Sequence, residues 1–330
     1  MTDIAVIGGG PAGLTAALYA ARAGRSVTVF EGSSFGGQIT RSPLVENYPG
    51  LGMVSGLELG DRMYTQTEAA GAELAFSGVQ RIERTTDGTF LLETEDGPVT
   101  TRAVIYAAGA KPRTLGLPGE EDLVGRGVSY CALCDGPFFA GQDTAVAGGG
   151  NTAVEDALFL AERCRRVTLI HRRDSFRAEQ ALVERAAQCP NLSILTETVI
   201  TDLRAANGAL DHILLKTADG REESLSVSGL FVAFGRVPDT ELAAALAERD
   251  KAGYLLTNVR METATPGFFV AGDCRQKTVR QLTTAVSDGT LAAVAACEWL
   301  AVQETEANNQ TAAPMRPAEA QKVSNYELVF

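Results

Sequence analysis

Short apolar runs that stop at glycine punctuate the chain. Residues 3–7 form the first, ending at Gly8-Gly9-Gly10. An alanine-rich stretch follows to Ala23 and is closed by Gly24, which predicts a helix with a glycine stop. A second apolar run, 26–30, leads into Glu31. The same order of events returns later. Residues 144–147 run into Gly148-Gly149-Gly150, a helical stretch reaches to about Arg163, and residues 167–170 lead into His171-Arg172-Arg173. From the first glycine to the residue closing the second strand the offset is 23 in both copies, 8 to 31 and 148 to 171. Runs 104–108, 230–234 and 268–271 also stop at glycine, at Gly109, Gly235 and Gly272. Buried parallel strands read this way where their C-terminal ends meet a ligand. Two hairpin pairs, 90–93 with 99–103 and 213–217 with 223–227, are turned at Asp96-Gly97 and Asp219-Gly220.

Each repeat therefore carries βαβ, a β-meander and a strand ending in glycine. The expected fold is α/β: two related three-layer dinucleotide-binding (Rossmann-like) domains, the second inserted in the first. Junctions are expected near Lys111-Pro112-Arg113 and Arg236-Val237-Pro238, where proline biases the preceding residue away from helix. That divides the chain into a discontinuous unit, 1–112 with 241–300, an inserted unit, 113–240, and a tail, 301–330, whose composition shifts to Asn, Gln, Pro, Ala and Glu.

Composition narrows the chemistry. A net charge of −12 disfavours nucleic acid. Neither a basic leader nor an uninterrupted apolar run of bilayer length is visible, so the expectation is a cytoplasmic protein with no membrane partner. Six cysteines in 330 residues do not make a secreted disulfide framework. Only Cys131 and Cys134 are closely spaced, and in a reducing compartment that pattern points to redox or metal chemistry.

In the first copy, Gly8 permits the sharp strand-to-helix turn and Gly10 lets backbone approach a pyrophosphate. Gly13 lets the helix pack against the strand, and the helix start around Pro11-Ala12 offers N–H groups and a positive dipole end. Glu31 stands where a carboxylate accepts hydrogen bonds from an adenosine ribose and repels a 2′-phosphate, which suits FAD or NAD(H). In the second copy, Gly148, Gly150 and Ala153 keep the fingerprint, with Asn151 and Thr152 between. The acid is gone there. His171, Arg172, Arg173 and, four residues on, Arg177 complement a 2′-phosphate, so this site reads as NADPH. The competing readings are a ligand-free glycine turn and a solvated basic run; the strand-turn-helix-strand context weighs against both. Two different dinucleotides pair most simply as a bound FAD with NADPH as its donor.

Cys131-Ala132-Leu133-Cys134-Asp135 is the expected reactive centre: two sulfurs close enough for an exchangeable disulfide, followed by a carboxyl that burial would turn into a proton carrier. A zinc half-site would need two more Cys or His ligands at suitable spacing, whereas the other cysteines are scattered singly and the chain has 2 histidines. No metal is expected. A pair of inert thiols is the other alternative. The remaining cysteines read as small core residues.

Gly8 to Gly13, Gly36-Gly37-Gln38, Glu46-Asn47-Tyr48-Pro49-Gly50, Cys131-x-x-Cys134-Asp135-Gly136, Gly148 to Ala153, the arginine set, Gly272-Asp273 and Arg280-Gln281 together resemble the low-molecular-weight bacterial thioredoxin reductases. The likeness runs in order from about Asp3 to Leu300, and the position of the C-x-x-C just before the second fingerprint is its most specific element. The resemblance implies a homodimer in which an FAD domain is interrupted by an NADPH domain. Glu31, Gly37, Gln38, Asn47, Ala108, Gly109, Gly272, Asp273, Arg280, Gln281 and Leu282 would lie at FAD, and Arg172, Arg173 and Arg177 at the 2′-phosphate. Cys134 would face the flavin, Cys131 would attack the disulfide of thioredoxin or a related redoxin, and Asp135 would be the acid-base group. The inserted domain would rotate about linkers near 111–115 and 236–240.

Two features depart from the pattern. Leu133 stands between the cysteines where the family often has Thr, and the tail ends in Tyr326 and Phe330, aromatics that would stack on the flavin, dock on a partner or lie in a disordered end. Two other functions compete with a reductase. One is a flavin enzyme with a different disulfide partner, ferredoxin or O₂ in the electron path, which the arginine set opposes. The other is a non-catalytic redox sensor, which Cys131, Cys134 and Asp135 oppose.

Overall fold

The computed structural model describes residues 1–311, with side chains to residue 307, so Tyr326 and Phe330 lie outside the described residues. β1 (Thr2–Ile7) passes through the glycine loop into α1 (Pro11–Arg22), and Pro11 opens the helix at a position whose N–H has no intrahelical partner in any case. Then follow β2 (Val27–Phe30), α2 (Gly56–Ala69) with Ser55 as its cap, and β3 (Glu73–Ala75). β4 (Val79–Arg84), β5 (Phe90–Thr94) and β6 (Gly97–Tyr106) form the meander. The strands expected at 99–103 and 104–108 are one ten-residue strand. One edge of β6 pairs antiparallel with β5 over its first half and then parallel with the later β17 (Phe268–Val270), while the other edge pairs parallel with β1. No turn residue interrupts 99–108, so the chain has no reason to break there.

After β7 (Ala110–Pro112) the chain builds a second sheet. Its elements are β8 (Val128–Ser129), α3 (Ala132–Asp135), β9 (Asp143–Ala147), α4 (Asn151–Ala161), β10 (Arg166–Ile170), α5 (Gln180–Gln188) and β11 (Leu192–Leu195). A separate three-stranded meander follows, β12 (Thr198–Ala206), β13 (Ala209–Thr217) and β14 (Glu222–Ser226), before β15 (Gly229–Val232) returns to the sheet. The parallel orders correspond: β3-β2-β1-β6-β17 in the first unit and β11-β10-β9-β15-β8 in the second. β7 pairs antiparallel with β16 (Arg236–Pro238), so the outgoing and returning chains form one ribbon.

Each sheet is covered on both faces, giving three layers. Ile4, Val6, Ile105 and Phe269 face α1 and the long α6 (Leu282–Thr311), while Ala5, Tyr106, Phe268 and Val270 face the meander and residues 242–247. Burying such a side chain stabilises by roughly 1.5–3 kcal/mol. α1 and α6 meet through Ala12, Ala16, Ala20, Ala292, Ala293 and Ala296. By length and composition residues 282–307 could cross a bilayer, although Asp288 and Glu298 interrupt the run. Here that helix is the core cover of the first sheet.

Candidate active site

The C-terminal ends of β1, β6 and β17 converge on the first glycine loop. Gly8 has φ 105°, and a Cβ on it would stand 2.5 Å from the Ala107 carbonyl oxygen; one on Gly13 would stand 1.9 Å from that of Gly8. Only glycine allows this approach of helix to strand. No side chain caps α1, and the N–H groups of Gly10, Ala12 and Gly13 have no acceptor among the described residues. Glu31 steadies the loop: Oε2 accepts from Gly9 N at 2.7 Å, and Oε1 accepts from Ser33 N and Oγ, both at 2.8 Å. One lone pair of Oε2 stays available. Gly37 abuts Gly10 from the facing loop, and Gly272 abuts Ala12. Gly109, at φ 76°, follows Ala108 beyond β6. Asp273 Oδ1 is buried with Lys277 Nζ at 3.3 Å but without a hydrogen bond among the described residues.

The second loop is built alike, with a difference underneath. A Cβ on Gly149 would meet the His171 ring at 2.1 Å. His171 is buried, shares a 3.1 Å hydrogen bond through Nε2 with the Ser175 carbonyl and stacks on Phe176. Burial, reinforced by the three neighbouring arginines, lowers its pKa despite the Ser175 hydrogen bond, which acts the other way. The structure therefore separates His171, a neutral prop under the loop at pH 7, from the cations with which the sequence grouped it. Arg172, Arg173 and Arg177 are exposed, and among the described residues no carboxylate lies within ion-pair distance of their guanidiniums. Arg177 N donates to the Gly149 carbonyl at 2.8 Å, tying the basic segment to the loop. The Asn151 side chain is engaged with Glu179, accepting from its N–H at 2.9 Å and donating to its carboxylate at 3.2 Å. Backbone N–H groups of Gly150, Asn151 and Thr152 remain free among the described residues. Ala153 is fully buried, with room for its methyl because residue 148 is glycine.

Cys131 and Cys134 are joined in a disulfide with Cα atoms 5.3 Å apart, at the start of α3. The inserted unit presents this disulfide to the first unit. Gln281, just before α6, places Nε2 3.9 Å from Cys134 Sγ and 4.0 Å from Cys131 Sγ, and its Oε1 accepts from Asn47 Nδ2 at 3.4 Å. Leu282 packs with Val45, Val54 and Leu59 beside it. Asp135 is largely buried, and burial raises its pKa while a hydrogen bond from Ser129 opposes the rise. Leu133 is 55% exposed, so the apolar departure between the cysteines faces solvent.

Two expected cofactor side chains are occupied elsewhere. Gln38 Nε2 donates to the Ala110 carbonyl and Oε1 accepts from Arg236 Nη1 at 3.0 Å, which ties the first unit to both strands of the ribbon. The Arg280 guanidinium lies 3.9 Å over the Tyr254 ring and donates to the carbonyls of Asp273 and Arg275, so it shapes the turn that presents Gln281. Sequence reasoning missed Ser129 and Asp288. Asp288 is buried in α6, accepts from Gly272 N at 3.1 Å, and pairs with Arg275 at 2.9 Å and Lys277 at 3.0 Å. Its signal was present: an acid on the alanine-rich face of an apolar helix. Ser129 carries no such mark, because its importance comes from what lies across from it.

The pattern of the family described as pyridine nucleotide-disulphide oxidoreductase matches residues 2–289. The thioredoxin reductase of Treponema pallidum (strain Nichols) is 40% identical over 299 residues, 90% of this chain and 97% of that one. The crystal structure of the thioredoxin reductase of Streptococcus pyogenes MGAS5005 superposes with a TM-score of 0.88 at 40% identity, covering 92% of this chain and 99% of that one. The Lactococcus lactis thioredoxin reductase in its FR conformation has a TM-score of 0.63 at 38% identity, covering 92% and 100%.

Proposed function

The chain belongs to the pyridine nucleotide-disulphide oxidoreductase family and, within it, to the thioredoxin reductases; from that premise we propose how its own residues divide the work. The family uses a flavin and a nicotinamide nucleotide. We assign FAD to the first glycine loop, in a domain of 1–112 and 241–300, and NADPH to the second, in a domain of 113–240. The first loop fits FAD because, among the described residues, its N–H groups are free, Glu31 keeps an acceptor and Asp273 Oδ1 lacks a hydrogen bond. The second fits NADPH because three guanidiniums, without a carboxylate partner among the described residues, stand beside its open helix start.

The observation that carries the reading is the disulfide against Gln281, whose neighbour Arg280 holds the carbonyl of Asp273 next to Gly272, the residue that abuts Ala12 of the first loop. When bound, the flavin would take a hydride from the nicotinamide and pass two electrons to the disulfide. The protein's task is then thiol exchange. The Cys131 thiolate attacks the partner's disulfide, a mixed disulfide forms, and the first partner thiolate leaves with a proton carried by Asp135. Cys134 attacks the Cys131 sulfur, the enzyme disulfide re-forms and the second partner thiol is released. The dithiol's two protons and two electrons end on the partner. Thioredoxin or a thioredoxin-like protein is the partner we infer. A homodimer follows from the resemblance, and apolar Val259, Val279 and Leu291 are exposed on the FAD-domain surface for such an interface. The free Cys164, Cys189, Cys274 and Cys297 fit a reducing cytoplasm.

Anaerobic flavin bleaching tests the assignment. NADPH should bleach the holoenzyme much faster than NADH, and thioredoxin should restore the colour. Arg172→Ala or Arg177→Ala should raise KM for NADPH roughly ten- to hundredfold, the loss of a charge-assisted hydrogen bond, and leave that for NADH unchanged. Equal use of NADH and NADPH by the unmodified enzyme, or bleaching that survives while Cys134→Ser still reduces thioredoxin, would overturn it.

A further inference from the structure

Ser129 ends β8, two residues before the first redox cysteine, and is 4% exposed. Its hydroxyl stands among three groups of the redox segment. Cys131 N donates to Oγ at 3.1 Å. Asp135 Oδ2 lies 2.5 Å away, and the Cys131 carbonyl oxygen lies 3.4 Å away. Asp135 Oδ1 is buried with no hydrogen-bond partner among the described residues, so Ser129 is the one side chain that contacts this carboxyl by a hydrogen bond.

A serine hydroxyl donates once and accepts twice. One acceptor site is taken by Cys131 N–H, which leaves one donor and one acceptor for Asp135 and the Cys131 carbonyl. We propose that Ser129 is a positioning residue for the thiol exchange: a hydroxyl rotor that serves Asp135 in both of its protonation states while holding the Cys131 backbone in place. With Asp135 ionised, the Ser129 O–H points to Oδ2. With Asp135 protonated at Oδ2, that proton is donated to Oγ and the Ser129 hydrogen turns to the Cys131 carbonyl. Heavy atoms keep their places while the hydrogens exchange roles. A rotor answers both states at the same oxygen: the anion needs a donor there, whereas the acid presents an O–H that needs an acceptor. The proposal deepens the assignment of Asp135 as proton carrier and rests on it.

The surroundings leave this role to Ser129. Cys131 and Cys134 of the same segment are held in the disulfide. α4, packed on α3, carries the acids Glu155 and Asp156, and Tyr130 is the other titratable neighbour in sequence, yet only burial and Ser129 act appreciably on Asp135.

The test is the pH dependence of kcat/KM for reduction of a bacterial thioredoxin, and of 5,5′-dithiobis(2-nitrobenzoate), by FAD-loaded enzyme. Protonated Asp135 is the active form, so activity falls as pH rises through its pKa. Ser129→Ala removes the donor that stabilises the anion, so the alkaline limb should move to higher pH by about one unit or more. Ser129→Thr, which restores a hydroxyl, should bring the limb back, and Asp135→Asn should abolish it. Infrared titration of the oxidised holoenzyme gives a readout without turnover. The Asp135 carboxylic band, identified by its absence in Asp135→Asn, should persist to higher pH in Ser129→Ala and titrate as in the parent in Ser129→Thr. A limb and a band that stay in place in Ser129→Ala, with kcat lowered evenly across pH, would sink the rotor and leave Asp135 as proton carrier. A limb that survives Asp135→Asn would remove the assignment beneath it.

Discussion

Asp156 on α4 shows what a carboxyl costs when nothing answers it. Burial, with Glu155 beside it, pushes its pKa up to about 7. A carboxyl raised on folding stays protonated in the native state over a range where the unfolded chain has released its proton. Its penalty therefore grows as pH rises from about 4 towards 7 and persists above. Asp156→Asn should accordingly raise the melting temperature at pH 8 and leave it nearly unchanged at pH 4; an equal effect at both pH values would refute the account. Asp135, also partly buried, differs in having Ser129 to receive or supply a hydrogen. Residues of this kind were unevenly legible. Cys131, Cys134 and Asp135 stood out by type and spacing, whereas the burial that separates Asp156 from any surface acid appears only once α4 is packed.

At the scale of elements, the ribbon of β7 and β16 is the narrowest covalent passage between the two sheets, three residues on each side. Gln38 fastens it from the first unit through Ala110 and Arg236, and Lys111 reaches Asp239 across it at 3.3 Å. A second contact holds the units in the present arrangement: a Cβ on Gly125 would stand 2.9 Å from Pro43 Cδ. The disulfide faces Gln281 in this arrangement; because the partner we infer is a protein that must reach it, we propose that the ribbon acts as a hinge during turnover. Cysteines placed at 43 and 125 and joined by a short bismaleimide should suppress thioredoxin reduction at least tenfold while FAD content is retained. Unchanged turnover in enzyme verified as fully crosslinked would argue against rotation. Pro112 and Pro238 both stand in this ribbon; that the two segments pair with each other was not visible in the sequence, because pairing needs the return of a strand more than a hundred residues later.

Over the whole molecule, the far end of α6 is clamped to the base of the first sheet by charge. Glu304 accepts from Arg25 and Arg102, each at 2.6 Å, and Arg102 also reaches Asp3 at 3.0 Å. Hydrogen bonds from Arg25 and Arg102 hold the Glu304 carboxyl below its ordinary value. Asp3 is also lowered: burial would raise it, but the hydrogen bonds from Ser26 and Arg102 outweigh burial together. A carboxyl depressed on folding contributes stability above its unfolded pKa, and that contribution disappears as pH falls through the folded value. Stability should thus decline as pH drops below about 4, and Arg102→Gln should flatten the decline in chemical denaturation followed by circular dichroism. A decline just as steep in the variant would show that the clamp is not part of it. Glu304, shared by both of its ion pairs, is exposed enough that salt should weaken them.

The sequence by itself determined the two glycine loops, the equal 23-residue offset between them, the parallel strands and the redox pair, because each is written in local chemistry: glycine where backbone must approach, apolar runs where strands are buried, two cysteines within one turn. It also distinguished the two loops, with an acid after the second strand of one and a cluster of arginines after the second strand of the other. Tertiary structure alone decided that β6 is one strand shared by two partners, that the His171 ring lies under the second loop, and that Gln38 bonds to both strands of the ribbon. It alone brought Gln281 to the disulfide and Ser129 to Asp135. Those outcomes depend on burial and on distances between residues remote along the chain, and neither quantity exists until the layers close.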